Sequence, residues 1–355
     1  MKSSPRSLVR SVFQQGGYVF ADRAEDIASR YGFEKVARLA SNENPFPPSP
    51  YAITEASAAL GSVNRYPDTH HDGLRKMLRS IYPDYPVVVG PGMDGVIETV
   101  VRTFIAQDDP VAISTPTFSF YSLSVRAQGG SILQIPRGAE YAVDPKAFCS
   151  GAGDAKLSFI CSPNNPTGSV TPPEDIAAIL EGLHGILFLD NAYGEFSTVD
   201  YLPLLNEYGN LIIGRTMSKV YGLAGLRIGY AIVPDWFVPY YQTAATPFAL
   251  NSVSAQAAIG ALGDPAYADR FISHVRRWRK RFIDEIPYPV AASGANFVMI
   301  DMSPMTGREA VDALARHGVL VRACESFPGL GENFIRVSIG EDWECERFLQ
   351  AVQSL

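Results

Sequence analysis

The stretch VVVGPGMDGVIETVVRTFIA, residues 87–106, decides how the chain folds. Three valines make a short apolar run, and Gly90, Gly92 and Gly95 supply a turn. From Gly95 onward Val96, Ile97, Val100, Val101, Phe104 and Ile105 recur at helical spacing. This predicts a buried strand that feeds a helix through a glycine turn, with backbone N–H groups at the helix N-terminus free to hold an anion. Further apolar runs at 111–113, 157–160, 186–189, 211–213 and 228–233 read as buried strands, and helical patterns such as 173–183 lie between most of them. Strands buried on both faces and alternating with helices predict an α/β domain, a mostly parallel central sheet flanked by helices. After about residue 250 the texture changes. An Arg-rich helical pattern at 266–286 precedes strand-like runs at 296–302, 319–322 and 334–339, which predicts a smaller α+β domain. The expected division is an N-terminal arm (1–40) packing on the small domain, a large domain (41–250) and a small C-terminal domain (251–355).

Composition sets the outer limits. With 355 residues, 46% of them hydrophobic, 19% charged and a mean hydropathy of +0.02, the chain has ample material for a packed core. Thirty Lys and Arg against 37 Asp and Glu leave a net charge of −7 and no overall basic field, so nucleic acid and anionic membranes are not expected partners. Cys149, Cys161, Cys324 and Cys345 lie far apart, with no metal-ligand spacing, so neither a metal site nor a disulfide framework is expected. Residues 1–6 have charge but no apolar run behind them, and no stretch reaches the roughly 18 apolar residues of a membrane span. A cytoplasmic location is expected.

Four motifs carry chemistry. Gly90 to Gly95 satisfies GxGxxG, but the next strand ends Ser114-Thr115-Pro116 where a dinucleotide site would have an acid for the ribose; a phosphate-bearing ligand fits better than a whole dinucleotide. Ser162-Pro163-Asn164-Asn165-Pro166-Thr167-Gly168 follows a strand, either as plain Asx turns or as a rigid loop offering an amide at the sheet's carboxyl edge. Ile186 to Tyr193 ends an apolar strand in Asp190. A carboxylate so near the core needs a partner, and a cationic ring nitrogen would serve; a structural Asp capping the next turn is the common alternative. In TMSKVYGLAGLRIGY, residues 216–230, Lys219 sits among small and apolar residues that would depress its pKa and make it nucleophilic toward an aldehyde; a solvated loop lysine is the plain alternative.

In this order, with Ala40-Ser41-Asn42-Glu43-Asn44-Pro45 and Arg65-Tyr66-Pro67-Asp68 upstream and Phe334 to Gly340 downstream, the motifs resemble those of fold-type I pyridoxal-phosphate aminotransferases, and among them most nearly the histidinol-phosphate branch. The resemblance runs from about Tyr18 to Gly340. It implies pyridoxal 5'-phosphate as cofactor, held in the large domain and joined to Lys219, which then moves the proton between Cα and the cofactor. Asp190 would keep the ring nitrogen protonated, Tyr193 and Asn165 would bond the ring 3' oxygen, and Phe118 would stack on the ring. The phosphate would take the N–H groups of Met93 and Asp94, the hydroxyls of Thr216 and Ser218, and the Arg227 guanidinium. Tyr66 would reach it from a second subunit, implying a homodimer. Arg336 would clamp a carboxylate of glutamate or 2-oxoglutarate, and Arg322 with Tyr18 would grip a substrate phosphate. The implied reaction moves an amino group between histidinol phosphate and 2-oxoglutarate in histidine biosynthesis.

The chain departs from the family pattern at Pro91, Met93 and Gly95, where Asn, Ser and Glu are usual, at Asn191, where Glu is usual, and at Pro47, where Gly is typical. The competing readings are transamination of aromatic or other amino acids, a decarboxylase acting on threonine phosphate, an NAD(P) oxidoreductase resting on GxGxxG alone, and a non-catalytic module. The basic run at 274–281 reads as the solvated face of a helix, and His70 and His71 are expected to cap a helix starting near Asp72.

Overall fold

The computed structural model describes residues 4–14, 17 and 23–355. In chain order its strands are β1 (Ala37–Arg38), β2 (Val87–Pro91), β3 (Pro110–Thr115), β4 (Ser131–Pro136), β5 (Leu157–Cys161), β6 (Ile186–Asp190), β7 (Leu211–Thr216), β8 (Ile228–Ile232), β9 (Phe297–Asp301), β10 (Val319–Leu320), β11 (Arg322–Ala323) and β12 (Phe334–Ser338). Seven of them form one sheet in the order β2-β8-β7-β6-β5-β3-β4. Only β8 runs against its neighbours, pairing antiparallel with both β2 and β7. The α/β class read from the sequence holds: the central sheet is mostly parallel and flanked by helices.

Side chains alternate across this sheet, so its two faces feed different cores. Val88, Ile113, Phe159, Phe188, Ile212 and Ala231 belong to one, which continues into Trp278, Phe282, Phe297 and Phe348 of the C-terminal part. Val87, Ala112, Ile160, Leu187, Leu189, Ile213 and Ile232 belong to the other. One face of the sheet is thereby welded to the C-terminal part, and the carboxyl ends of β5, β6 and β7 open toward the crevice between them.

The C-terminal sheet is antiparallel, in the order β11-β12-β9. The apolar run at 319–322 is divided between two sheets: Val319 and Leu320 pair in parallel with Ala37 and Arg38, whereas Arg322 and Ala323 pair with Arg336 and Ile335. Ile27, Val36 and Ala40 pack with Ala315 and Leu320, while Arg10, farther upstream, donates to the carbonyl of Ala127 beside the large sheet.

The helix Pro265–Glu285 buries Tyr267, Phe271, Val275, Trp278 and Phe282 along one stripe. Its basic residues meet acids: Arg277 lies 2.6 Å from Asp342, Lys280 2.6 Å from Asp284, and Arg281 2.6 Å from both Glu285 and Glu346. The expectation for His70 and His71 needs correction. The helix begins at Asp72, but His71 makes no side-chain cap; the Asp68 carboxylate accepts from the N–H groups of His70 (3.1 Å) and Asp72 (2.6 Å). A carboxylate matches the positive end of a helix better than imidazole does.

Candidate active site

The sheet's carboxyl edge meets β12 at a cavity of about 220 Å³. Twelve of the fourteen residues singled out in the sequence line it: Met93, Asp94, Phe118, Asn165, Asp190, Tyr193, Thr216, Ser218, Lys219, Arg227, Arg322 and Arg336. Tyr66 lies elsewhere, 82% exposed and stacked on Phe248 with ring centroids 4.7 Å apart. Tyr18 falls outside the described residues.

Local structure explains the convergence. The helix Gly92–Phe104 starts without a side-chain cap, which leaves its first N–H groups free at the cavity wall. Gly92 adopts φ +77, and a Cβ there would stand 2.7 Å from a terminal nitrogen of Arg227. Arg227 itself has φ +50, a conformation that costs an L-residue about 1 kcal/mol and here swings its guanidinium back over Gly92. Its Nη2 sits 2.8 Å from a carboxylate oxygen of Asp94. Gly229 faces the same turn so closely that a Cβ would meet the Gly92 carbonyl oxygen and the Met93 nitrogen at 2.5 Å.

Asp190 ends β6 at 4% exposure. One oxygen accepts the Tyr121 hydroxyl at 2.5 Å and the other the Ala192 N–H at 3.0 Å. Burial pushes its pKa up to about 6 although both hydrogen bonds pull it down. Lys219 lies across the cavity with Nζ 3.4 Å from the Ser41 carbonyl. Burial, reinforced by Arg336 and Arg227, brings its pKa down to about 8, against the opposing pull of Glu43 and Asp94. A lysine so tuned is partly neutral near neutral pH and can act as nucleophile and base.

Two arginines reach the cavity from the C-terminal sheet. Arg322 and Arg336 are paired directly across an antiparallel ladder, so both side chains project from one face, and both line the cavity. Like charges so placed repel unless an anion lies between them. Arg336 donates to the Asn165 Oδ1 and the Ala40 carbonyl, each at 2.5 Å, while its buried Nε has no partner among the described residues. Arg322 reaches the Ser326 hydroxyl at 3.3 Å.

The two asparagines of the 162–168 loop divide their work. Asn164 is fully buried, accepting from the Thr117 hydroxyl and donating to the Pro116 carbonyl, so it locks the loop. Asn165 faces the cavity. Asn191, buried at 1%, donates to the Ser162 carbonyl and braces the same loop from the other side.

Sequence reasoning assigned no role to two residues. Tyr121 grips Asp190 from the first turn of the helix Phe120–Gln128, and its closeness in sequence to Phe118, whose ring it meets edge to face at 5.6 Å, was the available signal. Asn42, inside the quoted 40–45 segment, donates to the Tyr193 hydroxyl at 3.0 Å; its pattern carried no sign of that partner. Among the described residues no His, Cys, Asp and Glu cluster suits a metal ion.

Comparisons with known proteins show the family. The family model for aminotransferase class I and II matches residues 34–352. A histidinol-phosphate aminotransferase of Methanoculleus marisnigri is 56% identical over 99% of this chain and 100% of its own length. That of Methanocorpusculum labreanum is likewise 56% identical, over 98% of this chain and 99% of its own. The crystal structure of histidinol-phosphate aminotransferase from Sinorhizobium meliloti in complex with pyridoxal-5'-phosphate superposes with a TM-score of 0.88 at 26% identity, covering 99% of this chain and 98% of that one. A Thermus thermophilus aspartate aminotransferase variant, 19% identical with a TM-score of 0.83 over 100% of both chains, shares the fold. With the matched region spanning nearly the whole sequence, the chain belongs to the class I and II aminotransferases.

Proposed function

We propose that the chain is a pyridoxal-phosphate enzyme that transfers the amino group between histidinol phosphate and 2-oxoglutarate, a step of histidine biosynthesis. One observation carries the reading: a lysine with a lowered pKa and a buried acid with a raised one line the same cavity as two arginines brought side by side by β11 and β12. The full-length likeness to the Methanoculleus enzyme supports the choice of donor.

The residues fit the cofactor. Asp190 is a buried carboxylate with no cation hydrogen-bonded to it among the described residues, and a protonated ring nitrogen supplies one. The free N–H groups at Met93 and Asp94, the Thr216 and Ser218 hydroxyls and Arg227 suit the phosphate. Phe118 suits the ring face, and Asn165 and Tyr193 the ring oxygen. Because the Asn165 Oδ1 is taken by Arg336, its Nδ2 is left to donate. When bound, the cofactor supplies an electrophilic carbon and a cationic ring that withdraws electrons from the substrate's Cα.

The chain's own part is positioning and proton transfer. Lys219 Nζ is the base that takes the Cα proton and returns it on the other side of the transfer. Asp190 keeps the ring cationic throughout. Arg336, through its unpaired Nε, receives the carboxylate of 2-oxoglutarate, and Arg322, joined by Tyr18, receives the phosphate of histidinol phosphate. In this scheme residues 41–250 hold the cofactor, 251–355 carry the substrate arginines and 1–40 form the arm. Two copies assemble, with Tyr66 of one completing the phosphate site of the other; its exposure and its stacking on Phe248 suit that role. We place the enzyme in the cytoplasm, where four unpaired cysteines are at home.

The test is a panel of amino donors given to the cofactor-loaded protein with 2-oxoglutarate: histidinol phosphate, aromatic amino acids and threonine phosphate. Glutamate is expected to form from histidinol phosphate with a kcat/KM at least about 10-fold above any other donor. Equal rates with an aromatic donor, or carbon dioxide released from threonine phosphate without glutamate, would overturn the assignment.

A further inference from the structure

We infer that Asn42 is a positioning residue that sets the direction in which the Tyr193 hydroxyl donates, and that it passes the placement of the C-terminal sheet to the reaction centre. This rests on the reading above that Tyr193 faces the cofactor's ring oxygen.

Asn42 lies on the segment that passes from β1 toward the large sheet, 1% exposed and with φ +54. Its backbone N–H donates to the Ser338 Oγ at 2.8 Å, and its Oδ1 accepts the Ser338 hydroxyl proton at 2.9 Å. Its carbonyl accepts from the Asn296 Nδ2 at 3.1 Å. Ser338 ends β12 and Asn296 precedes β9, so three bonds tie Asn42 to the C-terminal sheet. The fourth points the other way, from Nδ2 to the Tyr193 hydroxyl at 3.0 Å.

The bonds have a fixed polarity. Ser338 receives one N–H and donates its proton to Oδ1, and in this arrangement the amide's NH₂ group faces Tyr193. A phenol has one proton to give. With one lone pair occupied by an amide donor, Tyr193 cannot give that proton to Asn42, and the remaining direction is the cavity that its side chain lines. The left-handed backbone explains why the position suits Asn: among side chains with an amide, it tolerates that conformation best. Ser338 therefore orients Asn42, Asn42 orients Tyr193, and Tyr193 donates to the ring oxygen. A shift of the C-terminal sheet relative to the large one changes the first link and is felt at the last.

The experiment uses the full-length protein loaded with pyridoxal phosphate and reads the pH midpoint of the cofactor's visible absorption. A hydrogen bond donated to the ring oxygen stabilises its anionic form, so losing it moves the midpoint upward. Asn42→Gly keeps the backbone conformation free of strain and removes the amide. Asn42→Asp, nearly isosteric, offers Tyr193 only acceptors. Both are expected to raise the midpoint by about one unit. In a Tyr193→Phe background, Asn42→Gly is expected to cause no further shift, an outcome that a merely structural residue would not give. Equal shifts with and without the Tyr193 hydroxyl overturn the inference, as does a normally loaded Asn42→Gly protein that titrates like the wild type. A wild-type chain that takes up no cofactor overturns the proposed function as well, which separates the two failures.

Discussion

Asp190 and Lys219 face one cavity with pKa values displaced toward each other, and the acid has a measurable consequence for stability. With its pKa raised to about 6, the folded protein holds this proton more tightly than the unfolded chain does. The cofactor-free protein therefore loses stability as pH rises from about 4 to about 6 and does not regain that loss above it. Asp190→Asn removes the buried charge while keeping an acceptor for Tyr121. It is expected to stabilise the cofactor-free protein by up to about 3 kcal/mol at pH 7, with the advantage vanishing below pH 4. Thermal midpoints of both proteins from pH 4 to 8 check this; parallel curves would show that Asp190 is not strained by burial. The cofactor-loaded order is expected to reverse, because an amide offers the ring no charge. At this scale the sequence displayed residues whose chemistry is odd for their local setting, such as a lysine among small residues or an acid ending an apolar strand. Asn42 and Tyr121 were illegible for the opposite reason. Both are ordinary where they stand, and their roles come from partners 151 and 69 residues away.

The elements that could be read were those whose burial is uniform. β5 is buried throughout and β6 nearly so; β6 appears in the sequence as an unbroken apolar run from Ile186 to Leu189, and β5 as one broken only by Ser158. β4 went unread because it is the sheet's edge: only Ile135 of its six residues is buried, so no periodicity marks it. The run at 319–322 concealed a change of partner from β1 to β12, which hydrophobicity does not encode. The glycine turn shows the reverse case, where structure explains an oddity of sequence. Pro91 and Gly95 both depart from the family pattern, and a Cβ at 95 would stand 2.5 Å from the Pro91 Cγ. The ring is stiff, so the two departures are one: proline at 91 requires glycine at 95. Gly95→Ser alone is expected to destabilise the protein by about 1 to 3 kcal/mol through overpacking. Made together with Pro91→Asn it is expected to cost little, since a glycine inside a helix is itself unfavourable by up to about 1 kcal/mol. Urea unfolding of both single variants and the double measures the coupling, and strictly additive costs would show that the positions are independent.

At the scale of the whole molecule, the described surface leaves large apolar groups in water where the proposed subunit contact requires them. Tyr51, Ile53, Leu60, Val63 and Tyr66 are each close to half exposed or more along one segment, and Phe248 is exposed against Tyr66. Single exposed hydrophobes are ordinary, but a run of them ending in a stacked aromatic pair marks an interaction surface. Burying one such ring against a partner is worth about 2 to 3 kcal/mol, so a handful supports a stable dimer. Sedimentation is expected to give twice the 38.6 kDa of one chain. Phe248→Asp puts an unpaired charge where the rings would meet and is expected to yield monomers. The informative comparison is with the cofactor. Because Tyr66 is proposed to complete the phosphate site of the other copy, the monomeric variant is expected to bind pyridoxal phosphate at least about 10-fold more weakly although every group lining its own cavity is intact. Tyr66→Phe, which keeps the ring and removes only the hydroxyl, is expected to remain dimeric and to lose the same order of affinity. A monomer that holds the cofactor as tightly as the dimer would mean that each chain's cavity is sufficient by itself, and Tyr66 would then be an interface residue alone.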